Sequence, residues 1–249
     1  TTRHLLNQTS GIGGYKSVKK EMQTKSEYSS LAAAITVFKN RELNFTPGSK
    51  YLYTTYGYVA LGLIIEIISG LTYEEYMHQN IWSKAVLNDT GVEKFNQVYE
   101  NKSVLYNSKK GKVQIGEKNN LSNRVPGGGI YSTVTDLLKF GCAVLDETLI
   151  NKSTLELMLH DPKIRKEGNG YGFGWFLYGK NPDFGTIFGH SGEQTGAANQ
   201  LMILPELNTV VVLLTNTSGT WQEVVNTSVR LFRPAYYSRQ DNKNEKVDE

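Results

Sequence analysis

Two short clusters in this 249-residue chain combine residue types that can move protons or hold a polar substrate. The first is His190-Ser191-Gly192. It follows Phe188-Gly189 at the end of a run that reads as a short strand and leads into a glycine-containing stretch through Gly196. An imidazole, a hydroxyl and a glycine at a strand end put donors and exposed backbone beside a cleft, although a histidine so placed serves as a structural hydrogen-bonder about as often. The second is Tyr53, in Tyr53-Thr54-Thr55-Tyr56-Gly57-Tyr58, between the Pro47-Gly48 turn and an apolar helix. A phenol there can exchange a proton, yet in a tyrosine-rich chain packing is the commoner use.

Other chemistries find less support. His4, His78, His160 and His190 form no pair at metal-ligand spacing, and no His-Glu-x-x-His occurs, so no metal is expected. Gly11-Ile12-Gly13-Gly14 follows no strand and there is no phosphate-binding Gly-Lys loop, so no nucleotide cofactor is expected. The formal net charge of +3 comes without a basic stripe, which argues against nucleic acid; Lys19-Lys20 and Lys109-Lys110 read as solvated turns. The most apolar stretch, Val59 to Ile68, is interrupted by Glu66 and too short to span a bilayer. Cys142, the single cysteine, sits in an apolar run and is expected to be a small buried hydrophobe.

The elements that must position these residues can be read coarsely. Ser29 to Phe38 has helical spacing. Tyr51 to Thr55 is short, aromatic and β-branched. Tyr58 to Ser69 reads as a buried helix stopped by Gly70, and Thr72 with Glu75 forms a capping box for the next one. Ser83 to Lys118 is polar and loop-rich. Ser132 or Thr133 caps a helix through Phe140. Gly185 to Gly189, Asn199 to Leu204 and Thr209 to Leu214 read as strands, the last two joined by Pro205 to Asn208, and Trp221 to Phe232 as a covering helix. Antiparallel strands with covering helices imply an α+β architecture, taken as a single domain over residues 1–239 with a polar tail over 240–249.

Five blocks, in order along nearly the whole chain, resemble the β-lactamase-related (penicillin-recognising) serine hydrolases. Thr2-Arg3-His4-Leu5-Leu6-Asn7-Gln8-Thr9-Ser10-Gly11 is similar to that family's I-R-H-L-L-x-H-T-S-G segment. Phe45-Thr46-Pro47-Gly48 with Tyr53 to Tyr58 resembles its F-x-P-G…Y-S-N-x-G-Y. Gly127 to Leu137 resembles G-G-L-Y-S-T-x-x-D-L, Tyr171 to Trp175 matches Y-G-x-G-W, and Gly189 to Gly192 matches G-H-[ST]-G. The resemblance implies a β-lactamase/transpeptidase-like fold and acyl transfer to a serine in an S-x-x-K helix start, with no cofactor. It implies that Tyr53 is the general acid/base, that Thr55, His190, Ser191 and Gly192 contact a small-molecule or peptide substrate, and that the Glu193 backbone N–H is one oxyanion donor.

Two departures qualify this. Thr55 stands where asparagine is usual, and one hydroxyl does less than an amide, which puts substrate choice in doubt. The family's S-x-x-K lies before the first block, so the nucleophile helix and first strands are expected upstream of Thr1. The opening residues read as a helix entered without a cap, in line with that expectation. Ser17-Val18-Lys19-Lys20 is read as a chance match in a polar stretch. The expectation is a serine hydrolase domain lacking its nucleophile, inactive and marginal in stability as an isolated chain; the alternative is a non-catalytic binding or assembly module. The resemblance alone suggests a periplasmic or secreted protein, while one cysteine suits cytoplasm or periplasm equally.

Overall fold

The structure is a computed structural model and describes residues 1–245. In chain order it contains α1 (Thr2–Leu6), α2 (Leu31–Ala34), α3 (Thr55–Ser69), α4 (Tyr73–Met77), β1 (Gly91–Val92), β2 (Tyr106–Lys109), β3 (Lys112–Ile115), α5 (Val125–Gly128), β4 (Ile130–Tyr131), α6 (Val134–Leu145), α7 (Lys152–Met158), β5 (Phe176–Asn181), β6 (Gly185–Gln194), β7 (Ala197–Leu204), β8 (Thr209–Leu214), β9 (Thr217–Ser218) and α8 (Trp221–Glu245).

The principal sheet has the order β5-β6-β7-β8, antiparallel throughout. Both of its faces are covered. Phe188, Leu201, Ile203, Val210 and Val212 pack with Val144 of α6 and with Trp175. The alternate residues Met202, Leu204 and Val211 pack with Phe232 of α8. This explains why Leu201-Met202-Ile203-Leu204 is a continuous apolar run: a strand covered on both sides needs no polar alternation.

A helical region adjoins the sheet. Leu31, Ala34, Phe38, Tyr56, Val59 and Tyr73 form its core. Thr54 caps α3, its Oγ1 accepting from the Tyr56 N–H at 3.2 Å, and Gly70 ends the helix at φ 72°. The Thr72/Glu75 capping box forms as the sequence suggests. Gly62 lets α3 meet α5, because a Cβ there would strike the Pro126 ring and lie 2.9 Å from Leu31 Cδ1. Two small sheets complete the architecture, one pairing β1 with β4 and one ordered β3-β2-β9.

Several expectations need correction. Cys142 is exposed, because Gly141, Ala143 and Val144 take the inward positions of α6. Thr1 does cap α1, its side chain accepting from the His4 N–H at 3.4 Å. Tyr51 to Thr54 belongs to no strand, and the backbone at Thr54, the α3 cap, is extended. The loop-rich stretch contains the β2–β3 hairpin, whose turn residues Lys110 and Gly111 both adopt positive φ. His190-Ser191-Gly192 lies inside β6, which runs on to Gln194. α8 continues through Pro234 to Glu245, so residues 240–245 of the expected tail extend a helix and residues 246–249 lie outside the described residues. Ser17 caps a short π-helical turn over Val18–Met22, with Lys19 and Lys20 exposed, a setting unlike the buried helix start a nucleophile requires.

Candidate active site

A cleft of about 210 Å³ opens between the helical region and the sheet, lined by Tyr53, Thr55, Tyr58, Pro126, Gly127, Tyr171, Gly174 and His190. Its walls come from the segment entering α3, from α5, from the turn before β5, and from β6. The α3 side is fixed by two hydrogen bonds: the Thr54 N–H donates to Gln8 Oε1 in a buried bond of 2.9 Å, and the Thr54 hydroxyl donates to the Gly13 carbonyl in a partly buried one of 3.2 Å. The α5 side approaches closely because a Cβ on Gly127 would sit 2.6 Å from Thr55 Cγ2 and 3.0 Å from the Thr55 carbonyl.

Tyr53 stands against an aromatic wall. Its ring stacks on Phe176 (centroids 5.8 Å, 17°), meets Tyr171 edge-on (5.8 Å, 79°) and lies 6.2 Å from the His190 ring. Although 43% exposed, its phenol is pushed up to about 12 by partial burial, reinforced by Tyr51 and Tyr15 nearby. Burial also raises Tyr58 and Tyr171, and it lowers His190 below the usual imidazole value, partly offset by a bond to the Ser191 carbonyl. The lining is therefore uncharged at neutral pH.

His190 is held at both nitrogens, Nδ1 to the Ser191 carbonyl at 2.6 Å and Nε2 to the Tyr171 hydroxyl at 3.3 Å. The residues that follow behave differently. Gly192 and Glu193 are exposed, Ser191 is half-buried, and none of the three lines the cleft. They pair with β7, Ser191 opposite Gln200, Gly192 opposite Asn199 and Glu193 opposite Ala198. The β5 pairing stops at Gly189 opposite Phe176, so, among the described residues, 190–194 have a strand neighbour on the β7 side alone. That leaves a stretch of β6 edge open next to the cleft. The Glu193 carboxylate turns away, accepting from the Gly219 N–H at 3.5 Å.

Of the six residues singled out from sequence, Tyr53, Thr55 and His190 meet at the cleft; Ser191, Gly192 and Glu193 continue along the open edge. Tyr58, Pro126, Gly127, Tyr171 and Gly174 also line it. All but Pro126 belong to the same sequence blocks, and the density of Tyr and Gly in those blocks was the signal that could have marked them. Among the described residues no group of three or more His, Cys, Asp or Glu side chains is placed to hold a metal ion.

The antiparallel sheet packed between helices, with Tyr53 and His190 meeting at one cleft, defines a β-lactamase/transpeptidase-like α+β protein, and solved structures share the fold. A D-stereospecific amidohydrolase from Streptomyces sp. superposes with a TM-score of 0.76 at 25% identity, covering 92% of this chain and 72% of that one. A D-amino acid amidase from Ochrobactrum anthropi SV3 superposes with a TM-score of 0.78 at 21% identity, covering 96% and 72%. The Beta-lactamase family model matches residues 1–232, and the chain belongs to that family. The mitochondrial serine beta-lactamase-like protein of Bos taurus is 32% identical over 234 residues, 80% of this chain and 42% of the relative. A penicillin-binding protein of Bacillus subtilis (strain 168) is 27% identical over 234 residues, 87% of this chain and 51% of the relative. The chain thus spans about half or less of the length of these two relatives.

Proposed function

We propose that this domain belongs to a serine hydrolase acting through an acyl-enzyme on a peptide, amide or ester, its nucleophile and lysine carried by an S-x-x-K segment N-terminal to Thr1. The observation that carries the proposal is the meeting of Tyr53 with His190 and the open β6 edge at one cleft. In this reading Tyr53 is the general acid/base. Its neutral phenol can deliver a proton to the leaving group, whereas taking the serine's proton requires a cation beside it. No lining residue is cationic, which is consistent with a lysine arriving on the S-x-x-K helix. Thr55, His190, Ser191 and Gly192 line the path of the substrate, and the Glu193 backbone N–H supports the oxyanion. The uncharged lining favours a neutral acyl group at the reacting carbon.

The departure at Thr55 favours a second reading, a binding or assembly module that retains the cleft without turnover. One experiment separates the two. The intact protein and the Thr1–Glu249 chain are treated with a fluorophosphonate label and assayed on a chromogenic cephalosporin, an activated ester and a D-amino acid amide. Covalent labelling and a burst from the intact protein alone are expected. Labelling of the Thr1–Glu249 chain would refute the upstream nucleophile, and an inert intact protein would favour the binding module. Tyr53→Phe, which keeps the ring packing, should lower kcat/KM about a hundredfold or more.

A further inference from the structure

Tyr171 is buried and touches more of the cleft than any role given so far requires. Its hydroxyl lies 3.3 Å from His190 Nε2 and 3.4 Å from the Tyr58 hydroxyl, and its ring packs in a T-shaped contact with the Tyr53 ring. It is held firmly: Tyr171 bridges Phe176, the Gly172 N–H donates to the Trp175 carbonyl at 2.9 Å, and Gly174 takes a φ of 82° that tightens the turn.

The protons along this line can be counted. The Ser191 carbonyl only accepts, so at 2.6 Å the Nδ1 of His190 carries a proton. Nε2 of a neutral His190 must then accept. The Tyr58 hydroxyl spends its one proton on the Leu6 carbonyl at 2.8 Å, so its oxygen is also an acceptor towards Tyr171. Two acceptors therefore compete for the single Tyr171 proton. When His190 gains a proton at Nε2, the competition ends. Nε2–H donates to Tyr171, Tyr171 donates to Tyr58, and Tyr58 donates to Leu6, so every group in the row is satisfied.

We propose that Tyr171 is the positioning residue of this cleft: with Tyr58 behind it, its hydroxyl fixes the His190 ring in the Nδ1–H form and reverses direction when His190 is protonated. The proposal rests on the cleft being the hydrolase site argued above, and it refines one role there. Both His190 nitrogens are committed within the protein, so His190 presents a ring wall to substrate, and the polar contacts fall to Ser191 and the open strand edge. The titratable groups facing His190 are Tyr53 from the segment entering α3, Tyr58 from α3 and Tyr171 from the turn before β5; no carboxylate or cation lines the cleft.

The test is the titration of His190 in the intact protein, followed by NMR of isotope-labelled histidine, with the His190 signal assigned by substitution. Tyr171→Phe removes the partner that serves both states but is needed more by the charged one, so the His190 pKa should fall. Tyr58→Phe should also lower it, although Tyr58 does not touch His190, because the Tyr171 proton loses its alternative acceptor. In the same variants kcat/KM should fall about tenfold, the effect expected of one oriented hydrogen bond. A His190 titration unmoved in both variants overturns the proposal whatever the activity. A titration that moves as described in a protein without turnover or labelling overturns the hydrolase reading and leaves the positioning role standing. If Tyr171→Phe fails to fold, Tyr58→Phe decides alone.

Discussion

At the scale of single residues, the cleft is defined by neutral groups whose ionisation is opposed by burial. Burial pushes Tyr53 up to about 12 against an ordinary value of 10.0 and shifts Tyr58 and Tyr171 in the same direction; outside the cleft, in the core of the helical region, it pushes Tyr73 up to about 12 as well. The unfolded chain ionises these phenols first, so unfolding releases protons above pH 10 and stability falls with rising pH across the window from 10 to 12. Thermal melts on either side of that window should show Tm falling, and phenolate absorbance of the folded protein should show a late-titrating set. A Tm flat through that window would contradict the assignment. His190 carries the opposite sign: its lowered value contributes stability above the usual imidazole range that is lost as pH falls through the folded value. Much of this was legible in the sequence. Tyr53, Thr55 and His190 stand out from their motifs and do converge. The part played by Tyr171 was hidden, because a buried hydroxyl is recognised by what lies 3.3 Å from it, and no spacing rule links a turn before one strand to the interior of the next.

At the scale of elements, the cleft depends on α3 starting and packing where it does. Thr54 has two roles, capping the helix and bonding the Gly13 carbonyl from a buried position. Thr54→Ala should cost about 1–2 kcal/mol, read as a lower urea midpoint at unchanged slope. Gly62→Ala sets two effects against each other. Alanine gains about 1 kcal/mol of helix propensity over glycine. The new methyl, however, meets the rigid Pro126 ring, and overpacking of this kind costs about 1–3 kcal/mol. Net destabilisation is expected; a more stable variant would show that α5 yields freely. Elements with strong local codes were readable: the Thr72/Glu75 capping box, the Gly70 stop, and β8, found over Thr209 to Leu214. The β2–β3 hairpin was not, because its residues are mostly polar and its Lys110-Gly111 turn is a weak form of the positive-φ pair that usually carries asparagine or aspartate. α7 escaped for want of length, and Cys142 misled because an apolar neighbourhood in sequence does not say which side of a helix a residue occupies.

At the scale of the whole molecule, the sheet order places β8 at an edge, paired with β7 alone among the described residues. If a segment N-terminal to Thr1 completes the domain as proposed, this edge is one of the two at which added strands can pair. Hydrogen exchange then distinguishes the states: alternate β8 amides should exchange at loop-like rates in the Thr1–Glu249 chain and become protected in the intact protein. Equal exchange in both would place the segment elsewhere. The row that ends on Leu6 has a further consequence, in time. Tyr58 and Tyr171 touch across 113 residues of chain, so the cleft cannot close until loops of that length have been drawn together, a slow step for any polypeptide. During refolding, helical signal and local burial should therefore return well before anything that reports on the cleft. A newly made chain would pass through a period in which it is largely structured and still blind to its ligand.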